Sequence, residues 1–165
     1  FGKTMQSHFI LYEAESKMIK NACERLAEDA NAMVVFLVDT NGQILATAGD
    51  ASELDTTSLA SLTAGNIAAT SGMAKLMNEK EFTQIFHEGE NANLHISVLP
   101  AEAILLVIFD ERSSLGLVRL RVRKSAQEIV NLLQTAKDKA LKSQDNAMPF
   151  TEITDDDIES LFSHS

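Results

Sequence analysis

Apolar residues at Leu11, Ala14, Met18, Ile19, Ala22, Cys23 and Leu26 recur at spacings of three and four. That periodicity predicts a helix over Leu11–Ala30 with one core-facing stripe. Met33 to Val38 is a continuous apolar run rich in β-branched side chains, and Gln43 to Gly49 is a second strand-like stretch. Between them lies Asn41-Gly42, residues that tolerate the positive φ a tight turn needs, so a β-hairpin is expected over Met33–Ala48. Asp55-Thr56-Thr57-Ser58 supplies capping oxygens for a helix running to Met77. Three more strands are expected at Phe82–Glu88, Leu94–Leu99 and Ala103–Phe109, linked by Glu90-Asn91-Ala92-Asn93 and Pro100-Ala101-Glu102. Links this short force antiparallel neighbours. Ile104 to Phe109 has no polar alternation, as expected of a central strand buried on both faces. A long helix follows from Ser113 to Lys142, with Val118, Val122, Ala126, Ile129, Leu133, Ala136 and Ala140 along one face.

The order is therefore α-β-β-α-β-β-β-α, an α/β domain in which helices sandwich a five-stranded antiparallel sheet. Residues 11–142 form this domain. Residues 1–10 are an N-terminal extension, and Phe1-Gly2-Lys3-Thr4, ahead of a natural start at Met5, read as a foreign remnant. Residues 143–165 are an acidic tail: Met148-Pro149 breaks the preceding helix, and Thr154-Asp155-Asp156-Asp157 caps a short helix with Ile158, Leu161 and Phe162 on one side. A helix that short needs a partner to dock on, so Phe150, Ile153, Ile158, Leu161 and Phe162 are docking candidates.

The middle helix has an unusual make-up. Gly65, Ala68, Ala69 and Gly72 share a face, while Leu59, Leu62, Ile67, Leu76 and Met77 supply bulk. Each interior glycine costs about 1 kcal/mol of helix propensity against alanine. A face that accepts this cost is one where another backbone comes close, either the helix's own sheet or, as expected here, a partner chain.

Composition narrows the classes. Against 24 Asp and Glu stand 14 Lys and Arg, a net charge of −10. General nucleic-acid binding and docking on an anionic membrane both need clustered cations and are not expected. No apolar run approaches a membrane span, so no membrane insertion is expected either. The single cysteine, Cys23, cannot form an internal disulfide and falls within a helical stripe, which suits a buried hydrophobe in a reducing, cytoplasmic setting. The charge is unevenly placed: residues 112–142 carry 8 basic and 2 acidic side chains, residues 143–165 none basic and 6 acidic.

No catalytic motif is present. A phosphate-binding loop, a nucleophile elbow and a His-Glu-x-x-His are all missing. His87 and His95 lack companion ligands at metal spacing. Asp155, Asp156 and Asp157 point different ways around a helix and suit capping rather than a cation site. Arg112, just past a strand, reads as a flanking surface residue before it reads as an arginine finger. Neither a cofactor nor a metal is expected, and the chain reads as a regulator without catalytic residues.

The element order resembles the Roadblock family of small α/β dimerisation domains. Within that family, Val34 to Gln43, Asp55 to Asn66, Phe109-Asp110, Ser114 to Arg121 and Pro149 to Phe162 resemble bacterial polarity regulators. The segment from Asn78 to Asn93 is more its own. The resemblance implies a homodimer in which the middle helices pair, through Leu59, Leu62 and Ile67, and the two sheets join edge to edge. It implies binding of a Ras-like small GTPase of the MglA type on the face carrying Gly65, Ala68, Ala69 and Gly72. It further implies that GTP hydrolysis is accelerated by reshaping the switch regions, without an arginine finger. The tail would be a second GTPase contact that assists nucleotide exchange, and the protein would concentrate at a cell pole. Two other readings stay open: a scaffold of the same fold that binds without stimulating hydrolysis, and a PAS- or profilin-like ligand sensor.

Overall fold

The computed structural model describes residue 11 and residues 13–146. Its elements are α1 (Glu13–Asp29), β1 (Val34–Asp39), β2 (Ile44–Gly49), α2 (Thr56–Leu76), β3 (Gln84–Glu88), β4 (Asn93–Leu99), β5 (Ala103–Phe109) and α3 (Leu115–Asn146). The expected order is the observed one. The five strands form one sheet in the order β2-β1-β5-β4-β3, with every neighbouring pair antiparallel. As its unbroken apolar run requires, β5 lies at the centre, between β1 and β4.

Strand alternation sorts the core into two layers. Val35, Leu37, Leu105, Val107 and Phe109 pack with Ile19, Cys23 and Leu26 of α1 and with Val118, Val122, Ile129 and Leu133 of α3. Val34, Phe36, Val38, Ile96, Ile104 and Leu106 point the other way, onto Ala60 and Ile67 of α2. Full burial of a leucine or isoleucine contributes roughly 1.5–3 kcal/mol, so the two-helix layer holds most of the fold together. Phe86 of edge strand β3 stacks on Phe109, with ring centroids 6.1 Å apart.

Local chemistry fixes the first hairpin. Asp39 is fully buried, and its Oδ1 accepts the backbone N–H groups of Asn41 and Gln43, each at 2.9 Å. Gly42 takes φ +86°, and a Cβ there would lie 3.0 Å from the Cα of Ser61, so the turn passes tightly against α2. At the other end of β2, Gly49 takes φ +87° with the carbonyl oxygen of Met33 2.2 Å from any added Cβ.

Two expectations need correction. In α1, Ala14 and Met18 are exposed, Met18 by 53%, whereas Glu15 is buried. The stripe runs through Glu15, Ile19, Ala22, Cys23, Leu26 and Ala27, because α3 packs along that side and Lys139 reaches the Glu15 carboxylate. That contact holds the Glu15 carboxyl below its usual range. Second, α3 continues past Lys142 to Asn146. Residues 1–10, with the expected start at Met5, and the docking candidates Phe150, Ile153, Ile158, Leu161 and Phe162 lie outside the described residues.

Candidate functional site

The site is built on α2. Asp55 caps it: one carboxylate oxygen accepts the Ser58 N–H at 3.2 Å and the other accepts the Ser58 hydroxyl at 2.7 Å. These bonds hold the Asp55 carboxyl below its ordinary pKa. From this start the helix runs 21 residues with Lys75 as its one charged side chain. Ala60, Thr63, Ile67 and Ala74 are the buried positions, at spacings of three, four and seven, and they face the sheet. An ordinary surface helix would be polar on its other side. Here the opposite side is apolar: Leu62 is 72% exposed, Met73 57% and Leu76 88%.

All four expected GTPase contacts, Gly65, Ala68, Ala69 and Gly72, lie on this exposed side. A Cβ added at Gly65 or Gly72 would meet nothing within 4 Å, so packing within the described chain does not require either glycine. Among the described residues, then, nothing supports the own-sheet alternative for this face. The expected dimer trio divides. Ile67 is buried in the chain's own core and Leu59 is half-buried against it, so only Leu62 is free to meet a partner.

Candidate chemistry elsewhere is accounted for by local contacts. The Nε of Arg112 donates to Asp110 at 3.0 Å, and its backbone N–H donates to the same carboxylate oxygen. The pairing raises the pKa of Arg112 and lowers that of Asp110. His95 and His87 point to opposite faces of the sheet, since β3 and β4 pair Phe86 with His95 and His87 with Leu94. They cannot share a ligand. The thiol of Cys23 is pushed up to about 12 by burial, and then by the charge of Glu24, so it is unreactive at neutral pH. No group of three or more His, Cys, Asp or Glu among the described residues could hold a metal ion, and no described helix is long and apolar enough to cross a membrane.

A three-layer α/β module that turns outward a helix with one charged side chain and exposed apolar residues is thus the class of protein that fold and surface define. The chain belongs to the Roadblock/LC7 family, whose domain matches residues 18–109. It is similar to Myxococcus xanthus MglB at 50% identity, a match covering 77% of this chain and 96% of that one with a TM-score of 0.72. It is also similar to the gliding protein MglB of Thermus thermophilus, at 28% identity, 77% and 96% coverage and a TM-score of 0.72. A third structure, MglB in a tetrameric arrangement, matches at 29% identity, 78% and 96% coverage and a TM-score of 0.74. No curated protein matches the chain.

Proposed function

We propose that the chain forms a homodimer and regulates a Ras-like small GTPase of the MglA type by accelerating its GTP hydrolysis. The observation that carries this reading is the 50% identity to Myxococcus xanthus MglB across 77% of the chain. The outward face of α2 supports it, because an apolar surface without charge suits a protein partner. In this reading Leu62 belongs to the contact between copies and the edge strand β3 extends the sheet into the second copy. Gly65, Ala68, Ala69 and Gly72 receive the GTPase.

The regulator supplies no reacting group. It binds the hydrolysis-competent arrangement of the GTPase switch regions more tightly than the alternatives, and acceleration is limited by that difference in affinity. The salt bridge from Arg112 to Asp110 supports a mechanism without an arginine finger. The acidic residues 147–165 provide a second contact that assists nucleotide exchange, and the regulated process is cell polarity and motility, with the protein concentrated at a cell pole. Single-turnover GTP hydrolysis by the cognate GTPase, with and without this chain, tests the reading. Binding without acceleration identifies a scaffold instead, and absence of binding removes the GTPase as partner.

A further inference from the structure

In a chain of net charge −10, the first half of α3 gathers cations. Arg119, Arg123 and Lys124 are exposed around Leu120, itself 46% exposed. At 100° per residue the four fall within an arc of about 140°, on the side away from buried Val118, Val122 and Ile129. Among the described residues, none of the three cations takes part in an ion pair. Glu128, the first acidic side chain of α3, is held by Arg25 of α1. Arg119 and Arg123 stand one turn apart, where like charges weaken a helix. No contact among the described residues offsets that repulsion, so the patch suits an anionic partner from outside the packed body.

The chain itself carries the complementary chemistry. Residues 147–165 contain Glu152, Asp155, Asp156, Asp157 and Glu159 without any Lys or Arg, and Ile158, Leu161 and Phe162 follow at helical spacing. Carboxylates beside apolar side chains match cations beside Leu120. Reach decides which copy supplies the segment. From the end of α3 at Asn146, Arg123 lies 23 residues back, about 35 Å at 1.5 Å per residue. The nine residues from Asn146 to Asp155 span at most about 32 Å when fully extended. The first of the three aspartates therefore stops short of the patch on its own copy. The patch of a second copy is not bound by that length.

We propose that the face of α3 carrying Arg119, Leu120, Arg123 and Lys124 binds residues 147–165 of a second copy, carboxylates on the cations and apolar side chains against Leu120. This face lies across the sheet from α2, so it is separate from the surface assigned to the GTPase. The segment then has two competing seats, and occupancy of the α3 seat withholds it from any other partner.

The test co-expresses two full-length forms of the chain. One carries Gln127→Cys beside the patch and a longer affinity tag, the other Ser160→Cys in the segment, with buried Cys23 as an unreactive background. Mild oxidation at low salt links the two forms through a 127–160 disulfide. Raising the salt to about 0.5 M lowers the yield about fivefold, because exposed charges are screened. Arg123→Glu with Lys124→Glu in the first form lowers it as much, and Asp156→Lys with Asp157→Lys in the second form restores it. Circular dichroism checks that every form folds, as exposure of Arg123, Lys124 and Gln127 leads one to expect. Absence of the 127–160 link, or a yield indifferent to the charge reversals, overturns the proposal. So does an intrachain link that persists on dilution in a form carrying both cysteines. No arm contains the GTPase, so the outcome is independent of the reading of that partner.

Discussion

The Ser97 hydroxyl lies 3.4 Å from Nδ1 of His95, and no described group meets the other ring nitrogen. His95 is fully buried on β4, opposite Phe86 and Val107. Burial, and after it the positive charge of Arg119, holds its pKa below the ordinary value. The fold therefore prefers the neutral ring, whereas the unfolded chain binds a proton near the usual value of about 6.5. Stability is complete above that value and declines as pH falls through it towards the lower folded value. Thermal melting followed from neutral to mildly acidic pH should expose this loss, and His95→Leu should flatten it. An unchanged acid limb in that variant would assign the effect to other groups.

Gly49 and Gly65 should respond in opposite senses to alanine. At Gly49 a methyl group meets the Met33 carbonyl oxygen at 2.2 Å with φ at +87°, so Gly49→Ala should cost about 2 kcal/mol or more on the scale of about 1–3 kcal/mol for such strain. At Gly65 nothing lies within 4 Å, and Gly65→Ala should gain about 1 kcal/mol of helix propensity. Urea unfolding midpoints read both, at protein concentrations low enough to keep copies apart.

Ala68→Arg combined with Gly72→Arg should leave the fold intact, since both positions are exposed and Gly72 faces open space. GTPase acceleration should vanish, because two long cations prevent close approach of the partner. Normal acceleration by the folded double variant would move the GTPase contact off this face.

Arg112→Ala breaks only an exposed ion pair, worth about 0–1 kcal/mol. Its effect on GTPase acceleration should stay below about tenfold, against the roughly 10³-fold or greater loss that follows removal of an arginine finger. Single-turnover rates measured at saturating regulator separate the two cases.

Removing residues 147–165 while keeping α3 whole should leave the melting temperature within about 2 °C, because the described core is complete without them. Affinity for the GTPase should fall, and the deficit should shrink as salt rises, since the segment is rich in acidic residues. A salt-independent deficit would assign the contact to Phe150, Ile153, Ile158, Leu161 and Phe162 rather than to the carboxylates.

Element order, the central place of β5 and the first hairpin were legible in the sequence because each rests on local signals: an unbroken apolar run, an Asn-Gly turn, short links. What failed rested on neighbours distant in sequence. Glu15 reads as a surface residue until Lys139, 124 positions away, comes to its side. The spacing that grouped Gly65, Ala68, Ala69 and Gly72 on one face agrees with their shared exposure. It could not assign Ile67 inward and Leu62 outward, because apolar and small polar residues are mixed all round α2 and no charged side orients it.

The length of α3 has a consequence for how residues 147–165 act. Among the residues whose burial is described, Ala136 is the last fully buried one in α3, and the helix continues to Asn146, about 15 Å further at 1.5 Å per residue. The segment is joined to the body through α3, and in the homodimer proposed above two copies would bring two such segments to one bound GTPase. Its encounter with that GTPase is then governed by a local concentration, in the millimolar range for short tethers, instead of by the amount of protein in the cell. Even a weak intrinsic affinity is sufficient under that condition, and the same segment supplied as a free peptide should be nearly inert.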